Sequence, residues 1–301
     1  RPECLREMLS TMPKHKRTEH LQAEVKTRIK ELTEQLVSGK KGGARSAENT
    51  SIHPEGAAQI LLLGPPNSGK STLHARLTGS NAAIGPYPFT TQLPQAGMLE
   101  YADIHFQLLD MPPLSPEHPI PWLANSLQQA DACLLVVDLG DPECVDQLAW
   151  IHRLLAEKRV TLLAEWPRGL GPEREDELED PFSLRLPTLL LVNKTDTLPQ
   201  VDEELSVLRE LTGLSYPALR LSSLRGDGLD QLGPWLFEQL GVVRVYTKVP
   251  GQPPDMGRPF TLRRGQRVED VARMVHRDLV HSLRYARVWG GGQFNGQQVG
   301  R

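Results

Sequence analysis

Gly64-Pro65-Pro66-Asn67-Ser68-Gly69-Lys70-Ser71 follows the apolar run Ile60-Leu61-Leu62-Leu63 and leads into Thr72-Leu73-His74-Ala75-Arg76-Leu77-Thr78-Gly79. The run reads as a buried strand, and the last stretch as a helix with a glycine stop. Between them stands the spacing G-x-x-x-x-G-K-S. Strand, glycine-rich turn and helix start form the setting in which that spacing cradles phosphate. The glycines let backbone N–H groups approach phosphate oxygens, and the helix N-terminus adds the positive end of its dipole. The whole stretch, with Thr72, is therefore a candidate phosphate site. Lys70 would reach the β- and γ-phosphates, and the Ser71 hydroxyl would ligate Mg²⁺.

A phosphate loop does not name the base. Asn193-Lys194-Thr195-Asp196 follows a second apolar run, Leu189-Leu190-Leu191-Val192, about 120 residues further on. It thus falls at the carboxyl end of a strand, where open α/β sheets bind ligands. The Asp196 carboxylate can accept from guanine N1–H and from the 2-amino group. Adenine offers neither donor and would leave the carboxylate unpaired. The Lys194 stem can lie along the purine face.

Three more segments fall in order around these. Tyr87-Pro88-Phe89-Thr90-Thr91 lies in a proline-rich loop from which a hydroxyl could reach Mg²⁺. Asp110 ends the strand His105-Phe106-Gln107-Leu108-Leu109, a place for a carboxylate that holds the metal through water. Ser222-Ser223-Leu224 follows Leu219-Arg220-Leu221 and can turn backbone N–H groups toward guanine O6. Each is an ordinary loop alone; their order and shared position at strand ends give them weight.

Taken together, Gly64–Ser71, Tyr87–Thr91, Asp110, Asn193–Asp196 and Ser222–Leu224 resemble the five guanine-nucleotide motifs of the Obg-like GTPases. The resemblance is to the developmentally regulated GTP-binding (DRG) branch, and it covers nearly the whole chain. Lys14-His15-Lys16-Arg17-Thr18-Glu19-His20-Leu21 is similar to that branch's N-terminal segment. Val243–Lys248, Gly251–Asp255 and Tyr285–Gly290 look like its TGS domain. The resemblance implies GTP and GDP as ligands and slow GTP hydrolysis. It implies Phe89 and Thr90 as nucleotide contacts and Thr91 as the second metal ligand beside Ser71. Lys70, Thr91 and Asp110 become the candidate catalytic residues. Asn67 is implied as a ligand for K⁺ beside the phosphates, although holding the loop by backbone hydrogen bonds is its plainer role.

One departure from the family matters. The third motif, Asp-x-x-Gly, here reads Asp110-Met111-Pro112-Pro113. The glycine N–H is expected to meet the γ-phosphate, and Pro113 has no N–H. Such a bond to a charged group is worth about 1.5–3 kcal/mol. The residue after it, Leu114, cannot orient a water as glutamine does in small GTPases.

The chain has 301 residues, room for two or three domains. No apolar run approaches the roughly 20 residues of a membrane helix, and the start Arg1-Pro2-Glu3-Cys4 has no signal-peptide core. Three cysteines make no disulfide framework, and a reduced, cytoplasmic setting fits. Residues 1–50 carry 11 basic against 7 acidic groups, and residues 242–301 carry 11 against 4; the remainder carries 12 against 26. Two basic arms flanking an acidic core point to contact with RNA or the ribosome. His74, His105, His152 and His276 show no metal-ligand spacing.

The domain reading is α/β. Residues 1–56 form an N-terminal amphipathic helix (Leu21, Val25, Ile29, Leu32, Leu36) and linker. Residues 57–240 form a P-loop NTPase domain, a doubly wound sheet with strands at 59–63, 104–109, 132–137, 188–192 and 218–221. A short insert at about 160–187 reads as an exposed acidic loop. Residues 241–301 form a β-grasp TGS domain. In it, strands 242–248 and 259–262, a helix 268–279 with Val271, Met274, Val275 and Leu279 inward, and a strand 284–289 precede a missing last strand. A guanine-nucleotide adaptor with little hydrolysis, favoured by Pro113, and an ATP-dependent enzyme, opposed by Asp196, are the competing readings.

Overall fold

The computed structural model describes residues 52–79, 94–116, 120, 122–167, 183–290 and 294–300. The chain divides into two units, 1–49 and 50–301, and all described residues lie in the second. The N-terminal helix, Tyr87–Thr91 and the middle of the expected insert fall outside the described residues.

Apolar runs make the centre of the sheet. Gln59–Leu63 (β1), Ile104–Asp110 (β3), Ala132–Asp138 (β4) and Leu184–Asn193 (β6) pair in parallel, with β1 between β3 and β4. Side chains alternate between the two faces of a strand. Leu61 and Leu63 therefore join a core with Leu148, Ile151 and Leu155 of α3 (Cys144–Glu157) and Leu205 and Leu208 of α4 (Val201–Thr212). Ile60 and Leu62 join the opposite core with Leu73 of α1 (Lys70–Thr78) and Leu232 and Leu236 of α5 (Leu232–Gln239). Helices on both faces give the doubly wound α/β sheet. The short helix α2 (Leu123–Leu127) adds Leu123 and Leu127 to the first core.

Two strands escape the sequence reading. Gln95–Tyr101 (β2) is an edge strand antiparallel to β3, with Leu99 its only buried residue, so it shows no apolar run. Val160–Leu163 (β5) is four residues long and pairs in parallel with Leu184–Pro187. The ends of the stretch read as a loop insert are thus part of the sheet. Strand β7 (Ala218–Arg220) pairs with the second half of β6.

The C-terminal part differs from expectation in three ways. Strands β8 (Val242–Val245) and β9 (Phe260–Arg263) form an antiparallel pair, and Ala286–Val288 (β10) pairs with Gln297–Val299 (β11). That last strand was expected to be missing. The expected single helix is two, α6 (Val268–Val275) and α7 (Arg277–Ser282). His276 breaks it with an extended backbone, and its side chain accepts from the Asp278 N–H. Finally, Ala272 is the buried residue, whereas Met274, Val275 and Leu279 are exposed. Among the described residues the two hairpins do not pair with each other, so that face has no continuous sheet to cover.

This part is fastened to the main sheet by charge. Arg244 donates to Asp103, in the β2–β3 turn, at 2.6 Å, and the Tyr246 hydroxyl donates to the same carboxylate. The Arg244 guanidinium also lies 4.9 Å from the Phe237 ring centroid. No helix among the described residues is long and apolar enough to cross a membrane.

His152 on α3 stacks on Tyr216, with ring centroids 5.9 Å apart and planes 7° apart. Its buried Nε2 has no hydrogen-bond partner among the described residues. Burial pulls its pKa below the usual 6.5. As pH falls below about 6.5, the unfolded chain takes up this proton first, so stability is lost on acidification. His152→Phe should therefore lose less stability than the wild type between about pH 7 and pH 5.5, read from urea midpoints. Parallel pH curves would show that His152 is not held neutral.

Candidate functional site

The phosphate loop joins β1 to α1 through backbone that side chains disfavour. Gly64 has φ 153°, Asn67 φ 59° and Gly69 φ 87°. A Cβ on Gly69 would stand 2.3 Å from Asn193 Nδ2, so glycine is needed for the close approach of these two segments. The Ser68 hydroxyl donates to the Pro65 carbonyl at 3.0 Å, and Lys70 Nζ donates to the same oxygen at 2.8 Å. Burial pulls the Lys70 pKa down to about 8, against the pull of the nearby Asp110 carboxylate. An ammonium so desolvated gains strongly from a phosphate oxygen.

Asp110 sits at the end of β3, fully buried. Neither of its carboxylate oxygens has a hydrogen-bond partner among the described residues. Burial raises its pKa, while Ser71, Lys70 and His74 pull the other way. A buried carboxylate with two open oxygens fits a hydrated divalent cation. Thr91, the other expected metal ligand, lies outside the described residues, as do Phe89 and Thr90.

The expected base-reading motifs meet the glycine-rich loop through one side chain. Asn193 Nδ2 donates to the Ser68 carbonyl at 2.8 Å, and Asn193 Oδ1 accepts from the Ser223 N–H at 2.9 Å. Asp196 follows in a short 3₁₀ turn, Thr195–Thr197. Its carboxylate accepts from the Ser222 hydroxyl at 2.5 Å, which holds its pKa low. Ser222 Oγ in turn accepts from the Arg225 N–H at 3.0 Å. Lys194 has a left-handed backbone, φ 59°, and its Nζ pairs with Asp138 at 2.7 Å. Asp138 ends β4 as Asp110 ends β3, a signal present in the sequence but not used.

The structure narrows the expectation for Ser222–Leu224. The Ser222 N–H goes to the Asp227 carbonyl and the Ser223 N–H to Asn193. Among the described residues, only the Leu224 N–H of these three has no partner, so it is the one still open to the expected contact.

The segment after Asp110 is packed in place. Met111 and Leu114 are buried, the Met111 N–H donates to the Leu62 carbonyl at 3.3 Å, and the Leu114 N–H to the Gly64 carbonyl at 3.1 Å. In the basic tail, Arg263 is only 18% exposed, pairs with Asp131 at 3.4 Å and donates to the Leu240 carbonyl. Arg264 and Arg267 are exposed.

Residues 59–165 match the family model of the 50S ribosome-binding GTPases, and residues 243–301 match that of the TGS domain. A segment similar to that GTPase family thus precedes one similar to the TGS domain. The TGS match makes the C-terminal part the β-grasp module that the sequence resemblance implied, here with its strands in two separate hairpins. An uncharacterized GTP-binding protein of Methanocaldococcus jannaschii is 28% identical over 349 aligned positions, covering 98% of this chain and 87% of that protein. Developmentally-regulated GTP-binding protein 2 of Homo sapiens is 25% identical, covering 95% of this chain and 91% of its own. Among solved structures, Era of Aquifex aeolicus bound to GDP and AlF4⁻ is 18% identical with a TM-score of 0.45, covering 72% of this chain and 64% of that one.

Asn193→Ala tests the junction. It leaves the Ser68 carbonyl and the Ser223 N–H unpaired in a buried place, at about 1–3 kcal/mol for each unsatisfied group. The nucleotide-free protein should lose about 2 kcal/mol or more, read from its urea midpoint. An unchanged midpoint would show that the two loops hold themselves.

Proposed function

We propose that this chain binds GTP and GDP in the loop Gly64–Ser71, with guanine read by Asp196, and hydrolyses GTP slowly. The observation that carries the reading is the Asn193 amide. It brings the carboxyl end of β6, where Ser222 aims the Asp196 carboxylate, against the loop that bears Lys70. A carboxylate held ionised and half-buried at that point suits the two adjacent donors of guanine. The names of the relatives, GTP-binding proteins of archaeal and human origin, support it.

Ser71, Asp110 and Thr91 are the residues that would hold Mg²⁺, whose bound charge would offset that of the β- and γ-phosphate oxygens. Asn67, exposed on its left-handed backbone, is the proposed K⁺ ligand. The RNA or ribosome contact proposed for the basic tail falls to exposed residues such as Arg264 and Arg267, since Arg244 and Arg263 are occupied within the protein.

A second reading has a specific observation behind it. Pro113 removes the amide expected to sense the γ-phosphate, and the next amide, Leu114, is already bonded to Gly64. A ligand shifts a two-state segment only by its differential affinity for the two states. On this reading the protein is a guanine-nucleotide adaptor whose segment 111–115 stays put, with little hydrolysis.

Titration calorimetry and single-turnover hydrolysis test both. Asp196→Asn should weaken GTP and GDP strongly and improve xanthine nucleotides. GDP affinity within about twofold of wild type, under 0.5 kcal/mol, would remove the guanine assignment. Wild type should bind GTP and GDP similarly. Pro113→Gly should raise the preference for GTP by up to about tenfold, roughly 1.4 kcal/mol, and speed hydrolysis. A wild type that already prefers GTP strongly and hydrolyses at the variant's rate would mean that another group senses the γ-phosphate.

A further inference from the structure

Arg76 lies on α1, six residues beyond Lys70, yet its guanidinium reaches the loop after β7. Its Nη1 donates to the carbonyls of Ser223 at 3.5 Å and Leu224 at 2.6 Å, and its Nη2 to the carbonyl of Arg225 at 2.9 Å. Three consecutive carbonyls thus converge on one planar fork, a geometry that arginine can serve and lysine cannot. Room for the fork is made by Gly226, whose backbone is left-handed (φ 95°) and where a Cβ would stand 2.9 Å from Arg76 Nη2.

The consequence follows from peptide geometry. In a trans peptide the C=O and the N–H of one unit point to opposite sides. The Ser223 carbonyl and the Leu224 N–H belong to one such unit. With the carbonyl turned to Arg76, the Leu224 N–H is turned away from it. That N–H is the one left without a partner among the described residues, while its neighbours are occupied by Asn193, Ser222 and Asp227.

We propose that Arg76 is a positioning residue for base recognition. It holds the carbonyl side of the loop Ser223–Arg225 so that the Leu224 N–H faces the nucleotide and donates to guanine O6. The proposal rests on the guanine reading of the site. It ties base recognition to the same helix whose first turn holds the phosphates.

The test compares the full chain with its Arg76→Ala and Arg76→Lys variants by titration calorimetry with GDP, ADP and 2-aminopurine riboside diphosphate, which lacks O6. Arg76 is exposed, and alanine favours a helix, so folding should survive. Arg76→Ala should weaken GDP about three- to tenfold, the range of one hydrogen bond, and leave the 2-aminopurine nucleotide unchanged. Arg76→Lys should fall between, since one ammonium cannot span three carbonyls. GDP binding unchanged in Arg76→Ala, an equal loss for GDP and the O6-free ligand, or full activity of Arg76→Lys would each overturn the positioning role. A wild type that binds ADP as well as GDP would remove the guanine reading itself, and the proposal with it.

Discussion

One side-chain amide holds two halves of a binding surface together. Asn193 donates to the phosphate loop and accepts from the loop after β7, and both bonds are buried. The residues it joins are 125 positions apart on one side and 30 on the other. Gly69 has to be glycine because the amide nitrogen occupies the space of a Cβ. Both amide ends are matched, a donor to a carbonyl and an acceptor to an N–H, which fixes the orientation of the amide and the spacing of the two loops. Arg76 repeats the connection from the other side, from α1 to the same loop.

Around this frame the charged groups are unevenly satisfied. Lys70 rests on a loop carbonyl, desolvated, and Asp110 is buried with both oxygens open. Such groups cost stability in the empty protein and gain it back from ligands of opposite charge. Asp196 and Lys194, by contrast, already have partners in Ser222 and Asp138. The carboxyl end of β6 thus has its charges matched within the protein, whereas Lys70 and Asp110 do not. The segment after Asp110 runs against this pattern. Its apolar side chains are in the core and its first free amides are spent on β1 and the phosphate loop.

The C-terminal part meets the main sheet at its edge. Asp103, which takes Arg244 and Tyr246, turns β2 into β3, and β3 runs on to Asp110. Arg263 adds a second tie at Asp131, just before β4. The arginines that pin the module cannot also meet a nucleic acid. The excess positive charge of the tail is therefore smaller at its surface than in its composition.

The glycine-rich turn between β1 and α1, the polar tetrad at the end of β6 and the buried strands were legible in the sequence because their signals are local. A glycine-rich turn between an apolar run and a helix start, or a polar tetrad after a run of leucines, carries its meaning in neighbouring residues. The departure at Pro113 was legible for the same reason, since a missing N–H needs no fold to be noticed. The edge strand β2, the short β5, the break at His276 and the outward turn of Met274, Val275 and Leu279 were not. Each is set by which strand or face lies opposite, and a half-exposed edge shows no apolar pattern. Which amides of Ser222–Leu224 remain free, and the reach of Arg76 across 147 to 149 residues, belong to tertiary structure alone. A hydrogen bond has a fixed length and direction but no fixed distance along the chain, so only the folded arrangement decides which donor is spent and which is left for the ligand.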